Sequence, residues 1–208
     1  MPVRKIPRSH RNVTGRVVVD GARSVAFESP LERDFALLTQ FTPGFVGIEE
    51  QPVRIPLTSG RHYTPDFLVT WQVPQVPDLV EVKPEAKLDT VADKRNVAER
   101  FAAAHGWRFR VVTERDIRTP RLANARFLLP FRGRVPDAGY TARLFGLLQA
   151  SPKPLPLEKM VAIAAPDEER AQLLPTLWHL VSTFRISVDL DHPLTMASMV
   201  APARGGMR

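Results

Sequence analysis

The stretches Tyr63-Thr64-Pro65-Asp66-Phe67-Leu68-Val69 and Leu79-Val80-Glu81-Val82-Lys83-Pro84 decide how this chain is read. Both are rich in Val, Leu, Phe or Tyr and bounded by turn-forming residues, so both read as β-strands. Along a strand, positions i and i+2 share a face, so Glu81 and Lys83 project together while Val82 points the other way. Asp66 lies on the preceding extended segment and can meet them across the pair. Two carboxylates and an ammonium converging at strand ends make an oxygen-ligand site for Mg²⁺ with a cation beside it. Phosphodiester hydrolysis needs such a set: activated water, a Lewis acid for the phosphoryl oxygens, and Lys to offset developing charge. The same residues also fit an exposed cross-strand salt bridge of Lys83 with Asp66 or Glu81, which would contribute little. Geometry separates the two, because oxygens sharing one Mg²⁺ lie at most about 4 Å apart. Asp66 and Glu81 must therefore share a face.

Working outward, Ser29-Pro30-Leu31-Glu32 opens a helix, with Ser as N-cap, Pro at the first helical position and Glu three residues after the cap. Leu31, Phe35, Leu38 and Phe41 recur at helical spacing, and Pro43-Gly44 ends the element. Glu32 has two readings. By spacing it is the capping-box Glu that returns a hydrogen bond to the Ser29 backbone; it could also be a third site carboxylate, with Glu28 as an acidic alternative. Short extended pieces fall at Val17 to Asp20, Val25 to Phe27, Phe45 to Ile48 and Pro52 to Leu57. Leu88 to His105 reads as a helix stopped by Gly106, and Trp107 to Thr113 as a strand. The strand-helix-strand run from Leu79 to Val112 is a βαβ unit, which makes a largely antiparallel sheet mixed. Glu114 to Ala125 reads as a short helix interrupted at Pro120.

Pro130 to Ala138, with Gly139 beside it, brings together two Pro and two Gly where the charge pattern changes, which marks a domain boundary. Beyond it, Tyr140 to Ala150, Leu157 to Ala165 and Asp167 to Val181 are helical patterns, and Arg185 to Leu190 and Thr195 to Val200 alternate as a hairpin. Three helices and a hairpin is the order of a winged helix. The expected organisation is a basic arm over 1–16, an α/β nuclease-like domain over 17–134 with a mixed sheet flanked by helices, and a small winged-helix-like domain over 135–208.

Composition narrows the function. The chain has 208 residues, no cysteine and five His without ligand spacing, so thiolate zinc sites and disulfides are excluded and any metal is hard and oxygen-bound. His62, near Asp66, reads as a surface residue. No stretch approaches the roughly 18 apolar residues of a membrane span, and no Gly-rich loop would bind ATP. The net charge of +7 lies wholly in residues 1–134, and residues 135–208 are neutral. Such clustering is the electrostatic footprint of a polyanion partner. Arg4, Lys5, Arg8 and Arg11 in the arm, and Lys87 before the second helix, are the phosphate-contact candidates; Lys94, Arg95 and Arg100 fit a solvated helix face equally well. Met1 to Val19 is acid-free, but Pro2 and Pro7 spoil an amphipathic transit helix and no apolar segment serves secretion. A cytoplasmic protein with a basic N-terminal arm is expected.

Four ordered motifs resemble the TnsA family, the endonuclease subunits of heteromeric cut-and-paste transposases. They are Phe27-Glu28-Ser29-Pro30-Leu31-Glu32-Arg33-Asp34-Phe35, Ile48-Glu49-Glu50-Gln51-Pro52, Tyr63 to Val69, and Glu81-Val82-Lys83-Pro84. The resemblance covers about residues 10–135 and, more loosely, the remainder. It implies a restriction-endonuclease-like core in which Glu32, Asp66 and Lys83 are catalytic, and it turns the preference on Glu32 from cap to site. It also implies Mg²⁺, replaceable by Mn²⁺, held by Glu32, Asp66, Glu81 and the Val82 carbonyl. Gln51 takes a structural or DNA-proximal role in the Glu-Gln-Pro turn. The implied partners are transposon-end DNA, a DDE-type transposase and an AAA+ regulator ATPase docked through residues 135–208. The acidic run Asp167-Glu168-Glu169 agrees with docking, since it would repel phosphate at a recognition helix. A stand-alone restriction or repair nuclease and a non-catalytic winged-helix DNA-binding regulator are the alternatives.

Overall fold

The computed structural model describes residues 13–20, 23–57 and 60–203. They form two units, Met1–Thr119 and Pro120–Arg208.

The first unit is built on a four-stranded sheet in the order β3-β6-β7-β8, with β3 at Phe45–Glu50, β6 at Phe67–Trp71, β7 at Asp78–Val82 and β8 at Arg108–Val112. The pairs β3/β6 and β6/β7 are antiparallel and β7/β8 is parallel. The sheet is mixed, and the βαβ crossover accounts for its parallel pair. Every residue of β7 is buried, as expected of a strand paired on both edges and covered on both faces.

Before the sheet come a hairpin, β1 (Gly15–Asp20) with β2 (Arg23–Phe27), and helix α1 (Pro30–Gln40). Ser29 Oγ accepts the Glu32 N–H, with Pro30 at the helix start, so the N-terminus forms as its sequence predicts. The helix is not a one-sided amphipath. Leu31, Asp34, Phe35, Ala36, Leu37, Thr39 and Gln40 are all buried, because α1 packs against the hairpin and the sheet. Phe35 stacks on Phe67 of β6 with ring centroids 5.6 Å apart.

The other face of the sheet is covered by helix α2 (Asp89–Ala104) and a two-stranded ribbon, β4 (Ile55–Pro56) with β5 (His62–Tyr63). Ile55, Tyr63, Leu79, Ala98 and Ala102 make one buried cluster there. A short helix α3 (Glu114–Ile117) ends this unit.

The second unit contains helices α4 (Pro120–Arg132), α5 (Ala138–Ala150), α6 (Leu157–Ala164) and α7 (Arg170–Ser182). Its strands β9 (Leu155–Pro156), β10 (Ile186–Val188) and β11 (Met199–Pro202) form an antiparallel sheet in the order β10-β11-β9. The hairpin agrees with the sequence reading, whereas β9 is an addition to it; two residues are too few to show alternation. The acidic run is a 3-10 turn, Asp167–Glu169, preceding α7, and Arg170 and Arg143 pair with Asp167 and Glu169.

The unit boundary falls ahead of the 134/135 position read from composition. Pro120 does not merely interrupt a helix but starts α4, which packs on α7. Asn124 Nδ2 donates to the Leu190 and His192 carbonyls, and its Oδ1 accepts the Leu194 N–H. Arg121 makes two 2.8 Å bonds to Asp191. With α4 go the arginines of 120–134, so residues 120–208 hold eleven basic against seven acidic residues and are not neutral.

Candidate active site

β6 and β7 pair with Phe67 across from Val80 and Leu68 across from Leu79. One further step along this register sets Asp66 across from Glu81, with both side chains on one face. The Val82 N–H donates to Asp66 Oδ2 at 2.7 Å. Glu81, 3 % exposed, spends one oxygen on Lys83 Nζ (2.8 Å) and the other on the Tyr63 hydroxyl, which donates at 2.8 Å. Strand parity thus puts Glu81 and Lys83 on one side as expected, and the Glu81–Lys83 salt bridge forms, but it is mostly buried and not an exposed surface pair.

The charges sense one another. Burial holds the Asp66 carboxyl well above the usual range, and the neighbouring charges of Glu81 and Glu32 push it further, against the opposing pull of Lys83 and the Val82 N–H. Burial alone would lower Lys83, yet the charges of Asp66, Glu81 and Glu32 outweigh it and raise its pKa. Burial also raises the Tyr63 hydroxyl, and the Glu81 charge adds to it, so Tyr63 remains a donor.

Glu32 reaches this field from α1. Its Oε2 accepts the Glu28 N–H at 2.7 Å and its Oε1 accepts the Ser29 hydroxyl at 2.9 Å. The capping bond goes to the Glu28 backbone and not to that of Ser29. Burial raises its pKa, and hydrogen bonds from Glu28 and Ser29 oppose the rise. Cap and site proximity are therefore properties of the same carboxylate.

Gln51 joins the two sides. Its N–H donates to the Asp66 carbonyl at 2.8 Å, and its Nε2 donates to Glu28 Oε1 at 3.2 Å. The residue is 7 % exposed and its φ is 44°, a left-handed conformation that costs a non-glycine residue about 1 kcal/mol or more. Its Oε1 is buried without a hydrogen-bond partner, a further cost of about 1–3 kcal/mol.

Arg4, Lys5, Arg8 and Arg11 lie outside the described residues. Lys87 is exposed in the 3-10 turn Glu85–Lys87. On α2, Arg95 pairs with Glu99 at 2.8 Å, Arg100 is exposed, and Lys94 sits 5.5 Å from the Tyr63 ring centroid. His62 is exposed, as read from the sequence.

Two residues escape the sequence reading. In the sequence Tyr63 is only a strand residue; what it touches lies eighteen positions away. Asp78, 1 % exposed, accepts bonds from Trp71 Nε1 (3.0 Å), Arg108 Nε (2.7 Å) and Arg110 (3.3 Å), tying together three neighbouring strands. The signal for Asp78 is a carboxylate opening a strand that is otherwise apolar apart from Glu81.

Among the described residues, no three His, Asp or Glu side chains are grouped to hold a metal ion by themselves. The expected trio Glu32, Asp66 and Glu81 is not a ready-made cage, since Glu32 is occupied by its cap and Glu81 by Tyr63 and Lys83. Mg²⁺ does not need one, because it keeps several waters and takes one or two carboxylates. Asp66 and Glu81 are hard oxygen donors on one face, their mutual repulsion would be relieved by a cation, and the neighbouring residue whose N–H binds the Asp66 carbonyl, Gln51, carries a buried unpartnered acceptor. The donor set fits Mg²⁺. No helix among the described residues is long and apolar enough to cross a membrane.

Residues 42–114 match the family model described as TnsA-like endonuclease N terminal. The match runs from just before β3 into α3 and contains Gln51, Tyr63, Asp66, Glu81, Val82 and Lys83. It supports the resemblance read from the motifs and associates this part of the chain with nucleases of Tn7-like transposition. Glu32 precedes the matched segment. No curated protein matches the chain.

Proposed function

We propose that the chain is a Mg²⁺-dependent DNA endonuclease, the subunit of a heteromeric cut-and-paste transposase that cuts the non-transferred strand at the transposon 5′ ends. The observation that supports this most is the convergence of Asp66, Glu81 and Lys83 at the end of β7, where Glu81 holds Lys83 at 2.8 Å and Asp66 accepts the Val82 N–H at 2.7 Å. In this reading Asp66, Glu81 and the Val82 carbonyl hold the cation, and Glu32 completes the acidic wall. When bound, Mg²⁺ supplies a Lewis acid for the phosphoryl oxygens and acidifies water. Lys83, fixed by Glu81, offsets charge that develops on the phosphate. Tyr63 holds Glu81 in place. Lys87 and the arm residues Arg4, Lys5, Arg8 and Arg11 contact phosphates, and Mn²⁺ replaces Mg²⁺.

In the second unit, the order helix, strand, two helices, two strands, with the last strand central, supports the winged-helix reading of residues 138–202. This unit docks the AAA+ regulator. The arginines of 120–134 that go with this unit favour a second reading in which it also touches DNA; replacing Arg134 by Ala would then weaken DNA binding and flatten its salt dependence.

The test is Mg²⁺-dependent nicking of transposon-end DNA by the full chain with its partner transposase, comparing wild type with Asp66→Ala. Equal activity removes Asp66 from the mechanism. Cleavage that needs no transposase identifies a stand-alone nuclease, and binding without any cleavage identifies a regulator.

A further inference from the structure

Gln51 presents an acceptor with nothing to accept from. Its Nε2 is engaged by Glu28 Oε1, and its buried Oε1 has no partner among the described residues. Turning the amide over gives no remedy, because it would set Oε1 against the Glu28 carboxylate, two acceptors with no proton between them. The position of the amide is also imposed by the backbone. The N–H of Gln51 is tied to the Asp66 carbonyl, and a φ of 44° holds the residue where glycine is at ease and glutamine is not. Glycine at this position would remove both the strain and the orphaned oxygen and give up only the Nε2–Glu28 bond, which accounts for the amide nitrogen and leaves the oxygen unexplained.

The surroundings indicate what the oxygen faces. Glu28 is bonded to its side chain, Asp66 to its backbone, and the Glu28 N–H donates to Glu32. Near so many acceptors, a proton donor is attracted if it comes with positive charge. Water on a divalent cation has that chemistry, since its protons are acidified and its cation is drawn by the carboxylates.

We propose that Gln51 Oε1 accepts a hydrogen bond from water carried by the divalent cation of the Asp66/Glu81 site. Gln51 is then a positioning residue, and its left-handed backbone aims the amide. This rests on the metal-nuclease reading above and adds to it a residue outside the acidic set and the lysine.

The test is calorimetric titration of the full chain with Mn²⁺, without DNA, for wild type, Gln51→Met, Gln51→Gly and Gln51→Glu. Thermal melts in EDTA establish that each variant folds. The Met variant keeps the length and loses the amide, and the Gly variant relieves the backbone. Both should bind Mn²⁺ about 10–100-fold more weakly than wild type, with the Gly variant melting no lower in EDTA. The Glu variant, made together with Glu28→Gln so that the amide at 28 donates to it in place of the Nε2–Glu28 bond, restores an acceptor and should retain wild-type affinity or better. Should the Met variant not fold, the Gly variant decides. Unchanged affinity in the variants lacking the amide, or equal weakening in the Glu variant, overturns the inference and leaves the metal site standing. No Mn²⁺ binding by wild type overturns both.

Discussion

Replacing Asp66 by Asn should stabilise the metal-free protein at neutral pH while abolishing cleavage. Asn keeps an oxygen to accept the Val82 N–H and removes a charge that burial, Glu81 and Glu32 all disfavour. The sign follows from proton balance. The carboxyl's pKa is raised in the fold above its unfolded value of about 3.9. Between those two values the native state binds more protons than the unfolded chain, so stability falls as pH rises through the window. For one proton the slope reaches about 1.4 kcal/mol per pH unit. In a unit the size of Met1–Thr119, 1 kcal/mol moves the melting temperature by about 4 °C. The gap between the Asp66→Asn variant and wild type should therefore widen by up to about 5 °C per pH unit above pH ~4 and close below it. Calorimetric melts in EDTA from pH 4 to 8 measure this, and adding Mg²⁺ should then stabilise wild type alone. An Asp66→Asn protein that melts below wild type at about pH 7.5, or a gap that ignores pH, refutes the reasoning.

Tyr63→Phe deletes the donor to Glu81 Oε2; it should cost about 1–3 kcal/mol in a denaturant titration and lower the cleavage rate more than substrate affinity. Lys83→Met removes the cation that offsets the charges of Asp66, Glu81 and Glu32 and should reduce single-turnover cleavage by about 10²–10³-fold, by analogy with loss of one transition-state donor; an undiminished rate would exclude Lys83. Asp78→Ala should destabilise by about 2 kcal/mol, less than a fully buried pair, because Arg108 and Arg110 reach water, and the loss should appear in the melt of the first unit. Ser29→Ala removes the cap of α1 and the hydroxyl held by Glu32; a loss of about 1 kcal/mol with reduced cleavage is expected, and full activity would confine Glu32 to its cap.

Much of the first unit was legible because its signals are local. Strand parity placed Glu81 with Lys83, and Ser29-Pro30 opened α1 as predicted. The apolar stripe predicted α1, but a helix enclosed on several sides shows no single polar face, so its period says little about what surrounds it. The choice between cap and site for Glu32 could not be made from spacing, because its carboxylate serves the cap while the charges it meets, Asp66 and Lys83, arrive from distant strands.

Charge shows the same division. The total of +7, the absence of thiols and the positions of Asp66, Glu81 and Lys83 relative to strand ends follow from residue order. A composition break near residue 134 could not say which side owns the arginines of 120–134; the clamp of α4 on α7 and on the loop after β10 gives them to the second unit. Tertiary structure alone also decided that Tyr63 reaches Glu81 and that Gln51 sits strained beside Asp66 with an empty acceptor. The physical reason is common to these cases. Capping, pleat and helix period act over two to four residues and are written locally, whereas burial, partner and field depend on which distant segments the folded chain closes upon.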